Sequence, residues 1–396
     1  MYFHPVVVSS NSKSAFITAG LILLILISGR GYFALGDFSY FFVAGTDFVD
    51  ASATPAPVWV QQGQGYDGQF FYRYALDPFN FSKEDYGVTV DLVPYRVQRI
   101  GYPLLCWLFS FGGIPWLVPY SMVLINVLAF FGILYFVNRL NQKVTGNLQS
   151  VYQPLLLCGL YMSVARSLSE VTELFFITGA LCFIFEKRFL LFALFASFAI
   201  LIRETSIIAL FPFVCVLLYS YIKNKSVKPL HLYMVFPFIV FFIWKIVIAS
   251  QTDSFPGAAG TGNIGLPFKG MIMGFFGNTD ISTLKNKLQL SFWILYFLWQ
   301  LVLIILVVKE IFRSFDIFNN NFFAALAVSW LCWLLFAILL SSAIYVDDWS
   351  FVRVFSLWNM VGMLLLLLRN YKLPTLFQYY SFLLVALTLV RLIIRP

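Results

Sequence analysis

The sequence predicts an all-α polytopic membrane protein, and three observations predict it. Of 396 residues, 61% are hydrophobic and only 11% charged, whereas an ordinary soluble domain carries about 25% charge and 45–50% apolar residues. The apolar residues recur in blocks of about 14 to 22, separated by short polar segments that hold most of the charge. The mean hydropathy is +0.85, and nothing in the pattern suggests a β-barrel. These features exclude a soluble globular domain. The net charge of +8, from 26 Lys+Arg against 18 Asp+Glu, would hint at nucleic acid in a soluble chain. In a membrane chain it reflects basic cytoplasmic loops, so no nucleic-acid partner is expected.

The first apolar run, 15 to 29, follows Lys13 and has no small-residue cleavage site after it. It reads as an uncleaved first span with a cytoplasmic N-terminus. Residues 30 to 99 carry eight acids and five bases, and so long a loop is best placed on the extracytoplasmic side. Residues 100 to 112, IGYPLLCWLFSFG, are apolar but too short to cross a core of about 30 Å at 1.5 Å per residue. They are expected to be re-entrant or half-buried. Further spans read at 115 to 137, 151 to 165, 172 to 186, 189 to 202, 205 to 222, 231 to 250, 289 to 308, 322 to 343, 354 to 368 and 375 to 393, about eleven in all in a single domain 1–396. The segment 251 to 288 is a second large outer loop, Gly-rich and then semi-apolar, suited to covering a lipid. Parity supports this order, because the short loops it assigns to the cytoplasm are basic: Arg139 and Lys143; Lys187 and Arg188; Lys223, Lys225 and Lys228; Lys309 and Arg313; Arg369 and Lys372. Arg391 and Arg395 alone offend the rule. The protein is expected in the inner (plasma) membrane, with 15 of its 18 acids on or near the outer face, where any chemistry would occur.

Several common chemistries lack their residues. The cysteines (Cys106, Cys158, Cys182, Cys215 and Cys332) all lie in apolar stretches without a CxxC pair and read as buried hydrophobes. His4 and His231 are far apart in sequence, which leaves no histidine metal centre or histidine base. GxGxxG, Walker A and GxSxG motifs are absent, arguing against ATPases, dehydrogenases and common hydrolases. No cofactor and no resident metal are expected.

The candidates are interfacial charges. Asp37, in GDFSYFFVAGTDFVD, is placed to serve as a general base just above the membrane, although Gly36-Asp37 before an apolar run is also a capping pattern. In GYDGQFFYRYALDPF, Asp67 lies among Tyr66, Gln69, Tyr72 and Arg73, a mix of rings, amide and charge suited to carbohydrate. Arg96 and Arg99 share a helical face and could hold a phosphate by bidentate bonds. Arg166, Glu170 and Glu173 in ARSLSEVTELFF, and Arg203 and Glu204 in AILIRETSIIALFP, put charge close to bilayer depth, where ions need a cavity or partners. Asp347, Asp348 and Arg353 fall in AIYVDDWSFVRVF. The two acids suit a hydroxyl, but adjacent side chains diverge, so they are a poor metal site.

An Asp shortly after the first span, a large first outer loop, many short spans and RET at an outer junction together resemble the GT-C class of integral-membrane glycosyltransferases. The stretches YDGQFFYRYALDP, YRVQRIGYPLL and ARSLSEVTELFF through ILIRETSIIALFP look like bacterial proteins of cell-surface glycopolymer formation. They are distantly similar to polyprenyl-phosphate-mannose-dependent mannosyltransferases. The similarity covers residues 15 to about 210 well, and the rest only as a pattern of spans. The resemblance implies inverting transfer of a hexose from a polyprenyl-phosphate donor to a glycan or glycolipid acceptor outside the membrane. It implies Asp37 as favoured base with Asp67 second, and Arg96, Arg99, Arg203 and Arg353 at the donor phosphate. Tyr66, Gln69, Tyr72, Arg73, Glu170, Glu173, Glu204, Asp347 and Asp348 would line the substrate. The rivals are a flippase or transporter and a polymerase of lipid-linked saccharides. The first should show repeat symmetry, and no convincing internal repeat is visible.

Overall fold

The computed structural model describes residues 10–144, 149–252, 254–256, 262–277, 282–313, 321–346 and 348–394, without the side chains of 10–12, 149, 150, 285 and 348. The chain is almost wholly helical. The helices in order are α1 (Ser10–Phe33), α2 (Gly68–Leu76), α3 (Val93–Val97), α4 (Gly101–Phe109), α5 (Val118–Val144), α6 (Gln149–Tyr152), α7 (Cys158–Ala165), α8 (Glu170–Phe185) and α9 (Phe189–Ile202). They are followed by α10 (Ser206–Lys223), α11 (Phe236–Thr252), α12 (Lys269–Gly277), α13 (Leu284–Phe312), α14 (Asn321–Leu339), α15 (Ser342–Val346), α16 (Asp348–Val354), α17 (Ser356–Leu368) and α18 (Thr375–Ile394).

Among the described residues six helices, α1, α5, α10, α13, α14 and α18, are long and apolar enough to cross a membrane. The other expected spans form shorter helices. Expected span 151–165 is broken by a 3-10 turn, Gln153–Leu156, and by Leu157 in an extended conformation, which leaves only the eight-residue α7. Proline removes a backbone donor at such a break. Helices α8, α9, α11 and α17 have 16, 14, 17 and 13 residues. At 1.5 Å per residue these reach about 20 to 26 Å, less than a full hydrocarbon core. Their buried faces pack inside the bundle, where neighbouring helices can supply partners for the free helix ends.

The bundle is held by apolar packing with a few polar joints. Helix α8 packs against α5 and α9, α10 against α14, α14 against α17, and α1 against α18. Buried Asn126 of α5 donates to the carbonyls of Leu168 (2.9 Å) and Ser163 (3.3 Å) and to the Tyr102 hydroxyl (3.1 Å), and accepts from Thr172. It thus pins α4, α7 and α8 to one helix. In the C-terminal half, Gln300 donates to Asn359 (2.7 Å) and Trp299 to Ser381 (2.7 Å), interhelical bonds of the kind that fix register where no hydrophobic force favours one. Arg30, fully buried at the end of α1, donates to the Leu392 carbonyl at 2.7 Å and joins the first helix to the last.

The expected outer loop 30–99 is a folded layer. It contains a parallel strand pair, β1 (Ala44–Gly45) with β2 (Val60–Gln61), and an antiparallel pair, β3 (Glu84–Asp85) with β4 (Val88–Thr89). Both stand apart from the all-α expectation. The strands and α2 close on a core of Phe42, Phe70, Tyr72, Tyr74 and Val88. The expected half-buried segment is α4, with Tyr102 and Cys106 buried while Leu108 and Phe109 are exposed. All five cysteines are free, but Cys215 is exposed on α10 and Cys332 only half-buried. The expectation that all five are buried is corrected there, because those positions fall on outward faces of apolar helices.

Candidate functional site

Glycines bring the charged segments together. A Cβ on Gly68 would lie 2.6 Å from the Arg166 carbonyl and 2.7 Å from that of Phe42, so only glycine lets α2 start against these backbones and set Asp67 beside the bundle. A Cβ on Gly101 would lie 2.9 Å from the Ile202 nitrogen. That close approach seats α4 on the end of α9 and brings Arg99 to the Arg203–Glu204 turn. Helix α16, packed on α7, supplies Arg353 from the far end of the chain.

The resulting cluster surrounds a cavity of about 570 Å³. Asp67 accepts from Arg96 at 2.9 Å and from Arg353 at 2.6 Å. Arg96 also grips Asp91 through two nitrogens, at 2.8 and 2.7 Å, and lies over the Phe70 ring. Arg99 holds Glu204 bidentately, at 2.9 and 2.5 Å, and donates to the Tyr95 hydroxyl at 2.6 Å. Behind this layer Arg203 pairs with Glu170 and lies 3.6 Å from Glu173, and Arg353 reaches Glu170 at 3.4 Å. Glu173 also accepts from Ser206 at 2.7 Å. Tyr66 is flanked by Arg166 and Arg353, whose guanidinium carbons lie 4.4 and 4.9 Å from its centroid.

Electrostatics follow from this pairing. Burial works to raise the Asp67 carboxyl, but the charges of Arg353 and Arg96 overcome it and hold the group well below the usual carboxylate range. At Glu204, in the turn between α9 and α10, burial is outweighed by the Arg99 charge and its hydrogen bond, which hold the carboxyl at about 2. Both acids are therefore anions locked to arginine.

Of the sequence candidates, Asp67, Arg96, Arg99, Arg203, Glu204 and Arg353 line the cavity. Glu170 and Glu173 support it from behind, and Tyr66 backs Arg353. Asp37 stands elsewhere: it is exposed and caps the 3-10 turn Phe38–Phe41, accepting from the Ser39 amide at 2.8 Å. The capping pattern in its sequence is realised, and Asp37 is not among the cavity's lining residues. Gln69, Tyr72 and Arg73 also depart from the substrate-lining expectation. Gln69 accepts from the Gly45 amide and donates to the Gln64 carbonyl, Tyr72 stacks on Phe42, and Arg73 meets Ser82 and Asp85. The reason is that α2 is buried along its whole length, so its side chains pack within the loop's own fold and away from the cavity. Asp347 and the Asp348 side chain lie outside the described residues.

Sequence reasoning passed over Lys245, Asp91 and Tyr95, all of which line the cavity. Lys245 had a signal: it is the lone charge within the apolar run of α11, and an ionisable group at such a position marks a cavity by default. Among the described residues no group of three His, Cys, Asp or Glu side chains could hold a metal ion. No family model, no curated protein and no solved structure matches this chain.

Proposed function

We propose that the chain is a membrane glycosyltransferase of GT-C type, moving a hexose from a polyprenyl-phosphate donor to a hydroxyl of a glycan or glycolipid acceptor on the extracytoplasmic face. One observation carries this reading: the cavity lining combines a set of cations with apolar side chains. Arg96, Arg99, Arg203, Lys245 and Arg353 line it together with Ile208, Ile264, Phe336, Leu340 and Ile344. A cavity lined by both cations and hydrocarbon suits a phosphate attached to a lipid chain, and arginine suits phosphate through paired donors.

In the reaction the acceptor oxygen attacks the anomeric carbon and gives its proton to a carboxylate. The carbon–oxygen bond to phosphate breaks, and the electron pair leaves with polyprenyl phosphate. That leaving group needs cationic stabilisation and no proton. Asp67 is the carboxylate we assign, in place of Asp37, since Asp67 faces the cavity. With two arginines attached it is a weak base. A donor phosphate that draws Arg96 or Arg353 toward itself relieves that hold and raises the carboxylate's basicity, so donor binding and base activation are one event.

The test is purified protein with radiolabelled polyprenyl-phosphate hexoses and a lipid extract, comparing wild type with Asp67→Asn. Transfer by wild type, at least a hundredfold lower in the variant at unchanged melting temperature, is expected for loss of a general base. Undiminished transfer by Asp67→Asn overturns its role. No transfer by wild type with any donor, together with movement of lipid-linked sugar across vesicles, overturns the enzyme reading in favour of a flippase.

A further inference from the structure

A second charged cluster sits at the other end of α8, about 24 Å along the helix from Glu170 at 1.5 Å per residue. Here Glu186, whose side chain is only 4% exposed, gathers three cations. Arg139 donates to it through two nitrogens, at 2.6 and 2.7 Å. Lys143 lies 2.7 Å away and Arg188 3.3 Å. Exposed Lys187 follows Glu186 directly. The turn that carries Lys187 and Arg188 is fixed by backbone bonds, Lys187 to the Ile184 carbonyl and Arg188 to that of Phe183, the pattern that closes a helix C-terminus.

The charge here does not balance. Among the described residues one carboxylate meets Arg139, Lys143 and Arg188, a surplus of two positive charges, with exposed Lys187 beside it in the chain. The cations are also within reach of a ligand, with Lys143 and Arg188 side chains 45% and 29% exposed. A basic loop that only orients a membrane chain needs no geometry, whereas Arg139, Lys143 and Arg188 converge on one anchor carboxylate. The surface beside them is apolar and outward-facing. Leu124, Leu128 and Tyr135 are exposed on the α5 face that ends in Arg139, and Leu190 and Leu194 are exposed on α9 just past Arg188. Tyr135 itself receives a hydrogen bond from Arg139 at 3.1 Å.

We propose that this end of the bundle is a binding site for the phosphate of an anionic phospholipid, with the headgroup on Lys143, Lys187 and Arg188 and the acyl chains along the apolar faces of α5 and α9. Arg139 and Glu186 form the fixed base of the site. The proposal is independent of the proposed activity, because none of these residues lines the charged cavity.

The experiment measures thermal stability and lipid retention, by native mass spectrometry, of the purified full chain in micelles doped with phosphatidylglycerol, with phosphatidylcholine, or with inorganic phosphate alone. The variant is Lys143→Gln/Lys187→Gln/Arg188→Gln, which leaves the Arg139–Glu186 pair intact, and its melting temperature in phosphatidylcholine reports folding. Selective retention of phosphatidylglycerol and a raised melting temperature are expected, with affinity about a hundredfold weaker in the variant, from the usual contribution of three basic residues near an anionic surface. Equal retention of both lipids by wild type, or an undiminished preference in the folded variant, overturns the proposal. Equal stabilisation by inorganic phosphate overturns the lipid source and assigns the site to a soluble phosphate. Should the triple variant not fold, Lys187→Gln alone must still weaken retention for the proposal to stand.

Discussion

The two ends of α8 handle buried carboxylates in opposite ways. At the cavity end Asp67, Glu170, Glu173 and Glu204 pair with Arg96, Arg99, Arg203 and Arg353, with Asp91 and Lys245 extending both sides and Arg166 beside them over the Tyr66 ring. At the other end a single carboxylate holds a surplus of cations. Both anchors are buried, so burial alone does not decide how many counter-ions an acid collects. What differs is the outlet. The cavity-end charges are enclosed between helices, where an uncompensated ion is costly. The Glu186 cluster opens outward through Lys143 and Arg188, so its excess charge stays solvated or meets an anionic surface. The paired arginines of the cavity end must leave a carboxylate to meet another anion, whereas the outward-facing cations of the Glu186 cluster can accept an anion directly.

The sharpest way to break this comparison is to remove one arginine from the cavity end. Arg203→Met takes the partner from Glu173 and the closest partner from Glu170, leaving Glu170 with Arg353 at 3.4 Å. Uncovering buried charge in this way costs about 3–5 kcal/mol, so the yield of monodisperse protein and its melting temperature should both drop. Adding Glu173→Gln should recover part of the loss, because one stranded charge is then gone. A melting temperature equal to wild type in Arg203→Met would mean that the acids do not depend on the arginine for their stability. Arg188→Gln at the other end should shift melting far less, since Glu186 keeps Arg139 and Lys143.

Acid titration probes the same contrast more gently. The Glu204 carboxyl is held at about 2 against an ordinary value of 4.5. A depressed folded-state value stabilises the protein above the unfolded value, and that contribution fades as pH falls through the folded one. The Glu204 contribution should therefore be level from neutral pH to about 5 and decline between about 4.5 and 2. Glu204→Gln should be less stable at neutral pH, with a shallower decline in that window. Equal slopes for the two proteins, read by melting temperature across a pH series, would contradict a strong Arg99–Glu204 pair.

Much of this arrangement was legible in the chain. Charges in apolar surroundings must find partners, so Arg96, Arg99, Arg203, Glu204 and Arg353 could be named without coordinates, and the parity of basic loops named Arg139 with Lys143 and Lys187 with Arg188 as two separate loops. Pairing was not legible. That Arg353 reaches Asp67, 286 positions away, depends on α16 packing against α7, which periodicity does not report. Helix length was not legible either, because an apolar run looks the same whether it forms one long helix or a shorter one, and six helices among the described residues are long and apolar enough to cross a membrane. Gln69, Tyr72 and Arg73 misled for a related reason: an aromatic–polar mixture suits a sugar, and it equally suits a short helix buried in its own loop.

The smallest expected effect separates the two acids that sequence reasoning placed in competition. Asp37 and Asp67 both belong to the long segment between α1 and α3, yet Asp37 meets a backbone amide in the open, at 2.8 Å, while Asp67 meets two guanidinium groups inside the cavity. An N-cap is worth about 0.5–2 kcal/mol, and an exposed cap on a four-residue turn belongs at the low end. Asp37→Ala should thus lower the melting temperature by a degree or two and leave sugar transfer intact, whereas Asp37→Ser, which restores the cap without the charge, should recover the loss. Transfer abolished in both variants would return the base to Asp37, since serine keeps the turn but cannot take the proton. Transfer retained in both leaves the two carboxylates with separate places, one closing a turn and the other lining the cavity.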